Sequence, residues 1–142
     1  PNTLYKTMTL IVIAEHLSQA GQKEQVPQVL ERALETAYAI DEAQSGKNTV
    51  RKVNQRVRIA KQFAGGGQER RAVEILDQAL PKIRTFADKR FPIEKPIRLV
   101  ETAVQYAALK QKNKAVETLA EARTAAQAIN GDGLAKVAEG YA

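Results

Sequence analysis

An all-α fold built from stacked helical hairpins is what this sequence predicts. Three observations predict it. Every apolar segment has a helical period, the pattern recurs at intervals of 46 and then 43 residues, and no stretch alternates with the period of two that a strand needs. Hydrophobic residues make up 44% of the 142 positions but aromatics only 5%, so the core must come from aliphatic side chains and alanine on closely approaching surfaces. Helix against helix satisfies that requirement, and the length suits one domain with a real core.

The repeat is found by aligning the chain with itself. Ile13-Ala14-Glu15-His16-Leu17 matches Ile59-Ala60-Lys61-Gln62-Phe63 and Thr102-Ala103-Val104-Gln105-Tyr106. From each anchor small or apolar residues follow at the same distances: Val26, Ala72 and Ala115, then Leu30, Leu76 and Leu119, then Ala33, Ala79 and Ala122. Val137-Ala138-Glu139-Gly140-Tyr141 opens a partial fourth copy. The units fall roughly at 3–40, 48–86, 96–129 and 133–142, giving about seven helices, and two readings of the unfinished last unit stay open: a fragment of a longer protein or a capping helix.

Each unit reads as two helices. In the second, Val53, Val57, Ala60 and Phe63 share one face, while Ala72, Ile75, Leu76, Ala79, Ile83 and Phe86 share another. Gly21 and Gly65-Gly66-Gly67 stand where the chain must reverse and suit the left-handed residue that ends a helix; Lys110-Gln111-Lys112 stands there in the third unit. Asp41 to Lys47, Ala87 to Pro96 and Asn130 to Gly133 separate the units. Second helices are expected to reach Ile40, Phe86 and Ile129, with a kink near Leu80 imposed by Pro81, whereas Pro27 lies near a helix start. Asp132 is placed to cap the last segment. Alanines 14, 60 and 103 in first helices and 33, 79 and 122 in second helices let axes approach. A hairpin alone cannot bury both faces, so units must stack as an α-solenoid.

These residues resemble the tetratricopeptide-repeat (TPR) superfamily. The likeness is carried in unit two by Ile59, Ala60, Phe63, Gly67, Ala72, Leu76 and Ala79, with counterparts in units one and three. The units are longer than that family's usual ~34 residues and lack its closing proline, which makes this a long-unit variant. The resemblance implies a right-handed superhelix whose groove is lined by first helices. Met8, Ile11, Glu15 and Ser18 would come from unit one, Asn54, Val57, Arg58 and Lys61 from unit two, and Ile97, Val100, Val104 and Ala107 from unit three. Such a surface suits an acidic peptide with a few apolar anchors. The basic and asparagine set by which chaperone-binding members clamp a terminal carboxylate is not found.

Charge points the same way. Residues 47 to 98 hold 14 Lys or Arg against 5 Asp or Glu, although the whole chain carries only +6. A positive field steers anionic partners. Arg51, Arg58 and Lys61, interleaved with Asn54 and Gln55, recur at helical spacing and compete with a plain solvated face as the explanation.

Catalytic readings fare poorly. His16 is the only histidine and there is no cysteine, so a metal site would need carboxylates alone around one imidazole. Glu31 with Glu35 and Glu74 with Asp77 share helix faces with nothing apolar to perturb them. The triple glycine lacks a preceding strand and a Lys-Ser/Thr pair for phosphate, and neither Ser18 nor Ser45 sits in a nucleophile elbow. No enzyme and no cofactor are expected.

The expected function is therefore a protein-binding scaffold for an acidic peptide or protein segment. Arg58 and Lys61 would read charge and Val57, Val100 and Val104 would be the apolar anchors, with Arg51, Asn54, Glu15 and Ile11 beside them. One alternative is nucleic-acid binding by the basic middle, where Lys89, Arg90 and Phe91 add charge and a single stacking ring. Another is a self-associating spacer, because the first helix is apolar almost all round from Leu10 to Ala14 and something should cover it. Five apolar residues in a row fall far short of the ~20 that span a bilayer. No export signal is visible at Pro1, so a soluble protein is the expectation, with the compartment left open and the cytoplasm favoured over the alternatives.

Overall fold

The structure, a computed structural model, describes residues 2–39, 47–86 and 92–129. These form six α-helices: α1 (Asn2–Gln19), α2 (Val26–Ala39), α3 (Lys47–Gly65), α4 (Glu69–Arg84), α5 (Glu94–Ala108) and α6 (Lys112–Gln127). No strand occurs among the described residues. The partial fourth unit, the cap at Asp132 and the loop residues Lys89, Arg90 and Phe91 lie outside them. The chain divides into two compact units, Pro1–Ala79 and Leu80–Ala142, so α4 belongs to the first for most of its length and to the second at its last turn.

Each repeat reverses direction by the same hydrogen-bonded device. At the end of α1 the N–H of Gln22 reaches the carbonyl of Leu17 while Gly21 bonds Ser18; at the end of α3, Gln68 reaches Phe63 and Gly67 bonds Ala64. At the end of α5, Gln111 reaches Tyr106 and Lys110 bonds Ala107. This paired 6→1 and 5→2 pattern is the Schellman cap, and it needs a left-handed residue at its pivot. Gly21, Gly67 and Lys110 all have positive φ, at 80°, 85° and 61°. The three pivots are spaced as the sequence repeats are, so a helical repeat is present in the backbone as well as in the side chains.

In the first unit α1 packs along α2, and α3 packs against both. Ile11, Ala14, Leu30, Ala33, Val53, Ile59, Ala60, Phe63, Ile75 and Leu76 are buried there. In the second unit α5 packs along α6, burying Leu99, Ala103, Tyr106, Leu109, Ala115 and Ala122. All six repeat alanines are buried, as axis-approach positions should be. Buried threonines keep their hydroxyls satisfied inside the helix: Thr7 donates to the carbonyl of Thr3 and Thr102 to that of Arg98.

One boundary falls as expected, beside Pro27, and three differ from expectation. Helix α2 starts only at Val26, after a turn in which Gln25 and Val26 bond back three residues to Gln22 and Lys23. Pro27 has no N–H to give the carbonyl of Lys23, so an α-turn cannot form earlier. Helix α4 continues through Pro81 to Arg84, and Phe86, although buried, follows in a turn closed by Thr85 to Lys82 and Phe86 to Ile83. Helix α5 begins at Glu94, ahead of Pro96, because a proline costs no hydrogen bond within a first turn. Helix α6 ends at Gln127, two residues before Ile129.

Candidate functional site

Helix α3 carries Lys47, Arg51, Lys52, Arg56, Arg58 and Lys61 and no acidic residue. What matters is which of these charges reach solvent. Lys52 and Arg56 are buried, Arg56 with its guanidinium 4.0 Å from the ring centre of Tyr38 on α2, a cation–π contact that ties the helices together. Arg51, Arg58 and Lys61 are exposed on one side of α3, with Asn54 half-buried among them. The spacing of three, four and three residues gives this face its alignment, about 15 Å from end to end at 1.5 Å per residue.

Arg58 is not an open charge. Its Nη2 donates to Glu15 Oε1 on α1 at 2.8 Å, and Gln62 Nε2 donates to the same oxygen at 3.2 Å and to the carbonyl of Ile11 at 3.3 Å. Glu15 thus accepts from two α3 side chains and pins α1 to α3. Neither Arg51 nor Lys61 forms an ion pair with a described residue.

Of the expected groove residues, the structure brings Glu15, Arg58 and Lys61 to one surface beside Arg51 and Asn54. Two must be corrected. Ile11 and Val57 are buried, because both sit on the sides of α1 and α3 that meet other helices, and they serve the core rather than a partner. Val104 is exposed and Val100 half-buried, both in the second unit.

A feature without a forecast lies at the turn end of the first unit. A cavity of about 340 Å³ opens there, its floor made by Val26, Pro27, Leu30 and Phe63 and its rim by Glu15, Ser18, Gln19, Lys23, Gln62 and Gln68. Gly65 and Gly66 form part of the wall. The volume is at the small end of ligand pockets, enough for one or two apolar side chains. Its edge shares Glu15 and Gln62 with the bridged end of the basic face. The one sequence signal near it was the triple glycine, two of whose residues line it.

The rim offers amides, one hydroxyl, one carboxylate and one ammonium. His16 is exposed on α1, and no cluster of three or more metal-ligating side chains occurs among the described residues. No described helix is long and apolar enough to cross a membrane. Elsewhere three arginines are paired: Arg71 with Glu31 at 2.9 Å and Glu74 at 3.1 Å, Arg84 with Glu121 at 2.7 Å, and Arg98 with Glu94 at 3.1 Å and Glu101 at 2.8 Å.

The chain matches no protein-family model, no curated protein and no solved structure.

Proposed function

We propose that this chain is a non-enzymatic scaffold of the long-unit TPR-like kind, and that the α3 face with its adjoining cavity takes an acidic peptide segment. One observation carries the reading: α3 has six basic residues and no acidic one, and Arg51 and Lys61 stay exposed without an ion pair among the described residues. Partner carboxylates would meet Arg51 and Lys61 first. One could then compete with Glu15 for Arg58, while an apolar side chain enters the cavity over Val26, Leu30 and Phe63. Peptide main-chain groups would find the amides of Gln62 and Gln68 at the rim. The right-handed superhelix of the TPR superfamily belongs to the same proposal.

The test uses synthetic peptides graded in Glu and Asp content with a single leucine or phenylalanine anchor, titrated against the parent chain and the Arg51→Glu, Lys61→Glu double variant. Both side chains are exposed, so the variant should fold. Two reversed charges at a solvated interface should weaken the acidic peptides on the order of tenfold, with little change for neutral ones. Equal affinity for the two proteins sinks the assignment. Preference for single-stranded RNA, with affinity falling steeply as salt rises, transfers the basic face to nucleic acid.

A further inference from the structure

The seam between the first two repeats shows what the outer sides of the first and last described repeats are made for. Seam positions can be compared with their counterparts by the repeat register. Ile59 of α3, whose helix packs on α1 and α2, is 0% exposed, whereas its counterpart Ile13 is 42% exposed. Lys6, Thr9 and His16 are exposed too, where Lys52 is buried and Gln55 and Gln62 are half-buried. On the other side of the seam Leu30 of α2 is 1% exposed, yet its counterpart Leu119 on α6 is 46% exposed. Eight large hydrophobic residues are exposed among the described ones; four lie on α1 and three on α5 and α6, with none on α3 or α4. Of these, Val12, Ile13, Val104 and Leu119 stand in the register of residues that form the seam, where a neighbouring repeat would stack.

We infer that a second copy of this chain docks head to tail, its α5–α6 side against the open side of α1. Pairwise chemistry across the known seam supports that occupant. Glu15 and Arg58 form its ion pair, and their counterparts on the two open sides are Val104 and Val12, both exposed. An ionic pair position has become apolar on both sides at once. Glu31 and Arg71 bridge α2 to α4, and their counterparts Ala120 and Gln25 are uncharged. Tyr38 donates to Gln78, and their counterparts are Gln127 and Arg32, a neutral acceptor facing a donor. No pair brings like charges together. The contact joins two different surfaces, so it propagates instead of closing on a two-fold axis. It is independent of the acidic-peptide reading, since Arg51 and Lys61 take no part.

Sedimentation velocity on the full chain over a micromolar to millimolar series, with Ile13→Asp and Leu119→Asp variants, tests it. Both substituted side chains are partly exposed, and unchanged far-UV circular dichroism verifies folding. The parent should show average mass rising with concentration, each variant alone should sediment as a monomer, and an equimolar mixture should form one-to-one dimers. The mixture is diagnostic because Ile13→Asp keeps an intact α5–α6 side and Leu119→Asp an intact α1 side. A parent that stays monomeric overturns the inference, as it would if residues 130–142 covered Leu119 instead. So does a Leu119→Asp variant that still dimerises, the mark of α1 pairing with α1, or a mixture that stays monomeric.

Discussion

Replacing Lys110 by glycine should stabilise the protein, an unusual direction for a substitution that discards a long side chain. Lys110 is exposed and holds φ at 61°, the pivot of the third Schellman cap, where Gly21 and Gly67 serve the first two. A residue with a Cβ in the left-handed region carries roughly 1–2 kcal/mol of steric cost. Glycine relieves it but loses more backbone freedom on folding, by about 0.5–1 kcal/mol. The net gain is about 0.5–1 kcal/mol, or a Tm rise of roughly 2–4 °C for a chain of this size. The triple glycine supplies its own control. A Cβ added at Gly67 or at Gly65 meets no atom within 4 Å, so sterics at the site are equal and only the backbone differs. Gly67→Ala should lose about 1 kcal/mol through its positive φ, whereas Gly65→Ala, inside α3, should gain about 0.5–1 kcal/mol. Urea unfolding followed by circular dichroism reads all three midpoints. A lowered midpoint for Lys110→Gly, or the same sign for Gly65→Ala and Gly67→Ala, refutes the reasoning.

Ala60 is fully buried where α3 meets its neighbours, so Ala60→Leu should cost about 1–3 kcal/mol by overpacking, visible as a lower urea midpoint; leucine at exposed Ala120 should leave it unchanged. The hydrogen bonds from Arg84 hold the Glu121 carboxyl below its ordinary range against the opposing effect of burial. A carboxyl depressed in the folded state contributes stability above its unfolded value, near pH 4.3, and loses it as pH falls through the folded one. Glu121→Gln should therefore cost less than about 1 kcal/mol near neutrality, given how open the pair is, and progressively less as the pH falls below the ordinary carboxylate range, as thermal melts at descending pH would report. Charge reversal at Arg51 and Lys61 and the two-variant mixing experiment complete the set, the first read by peptide affinity and the second by sedimentation.

Helix positions were legible because two independent signals coincide: a 3.6-residue apolar period and its recurrence at a fixed interval. The alanines that mark each axis approach are all buried, and the register aligning Gly21 with Gly67 also aligns Lys110, although a lysine gives no compositional hint of a left-handed pivot. Boundaries slipped where burial outlasts the helix. Phe86 stays in phase with Ile83 and is buried, so the hydrophobic pattern cannot see that a turn has replaced the last coil. Pro27 stands at a helix start and Pro81 inside a second helix, as expected, whereas Pro96, read as the end of a loop, stands inside the first turn of α5. Within the candidate site, Ile11 and Val57 were placed in a groove because a helical face is wider than the strip that stays wet.

The polar seam was invisible to self-alignment for a different reason: its positions recur and its chemistry does not. Tyr38 and Gln78 share a hydrogen bond, and the residues in the same register one repeat later, Arg84 and Glu121, form an ion pair. A search for similar residues discards such pairs, although the geometry they serve is the same. This also changes how the basic middle should be read. Arg58, Arg71 and Arg84 lie at seam positions and each is neutralised by a glutamate of a neighbouring helix. Arg51 and Lys61 form no ion pair with a described residue. Net charge along the sequence therefore overstates the charge a partner meets, and the difference depends on which cations the stacking of repeats has already taken.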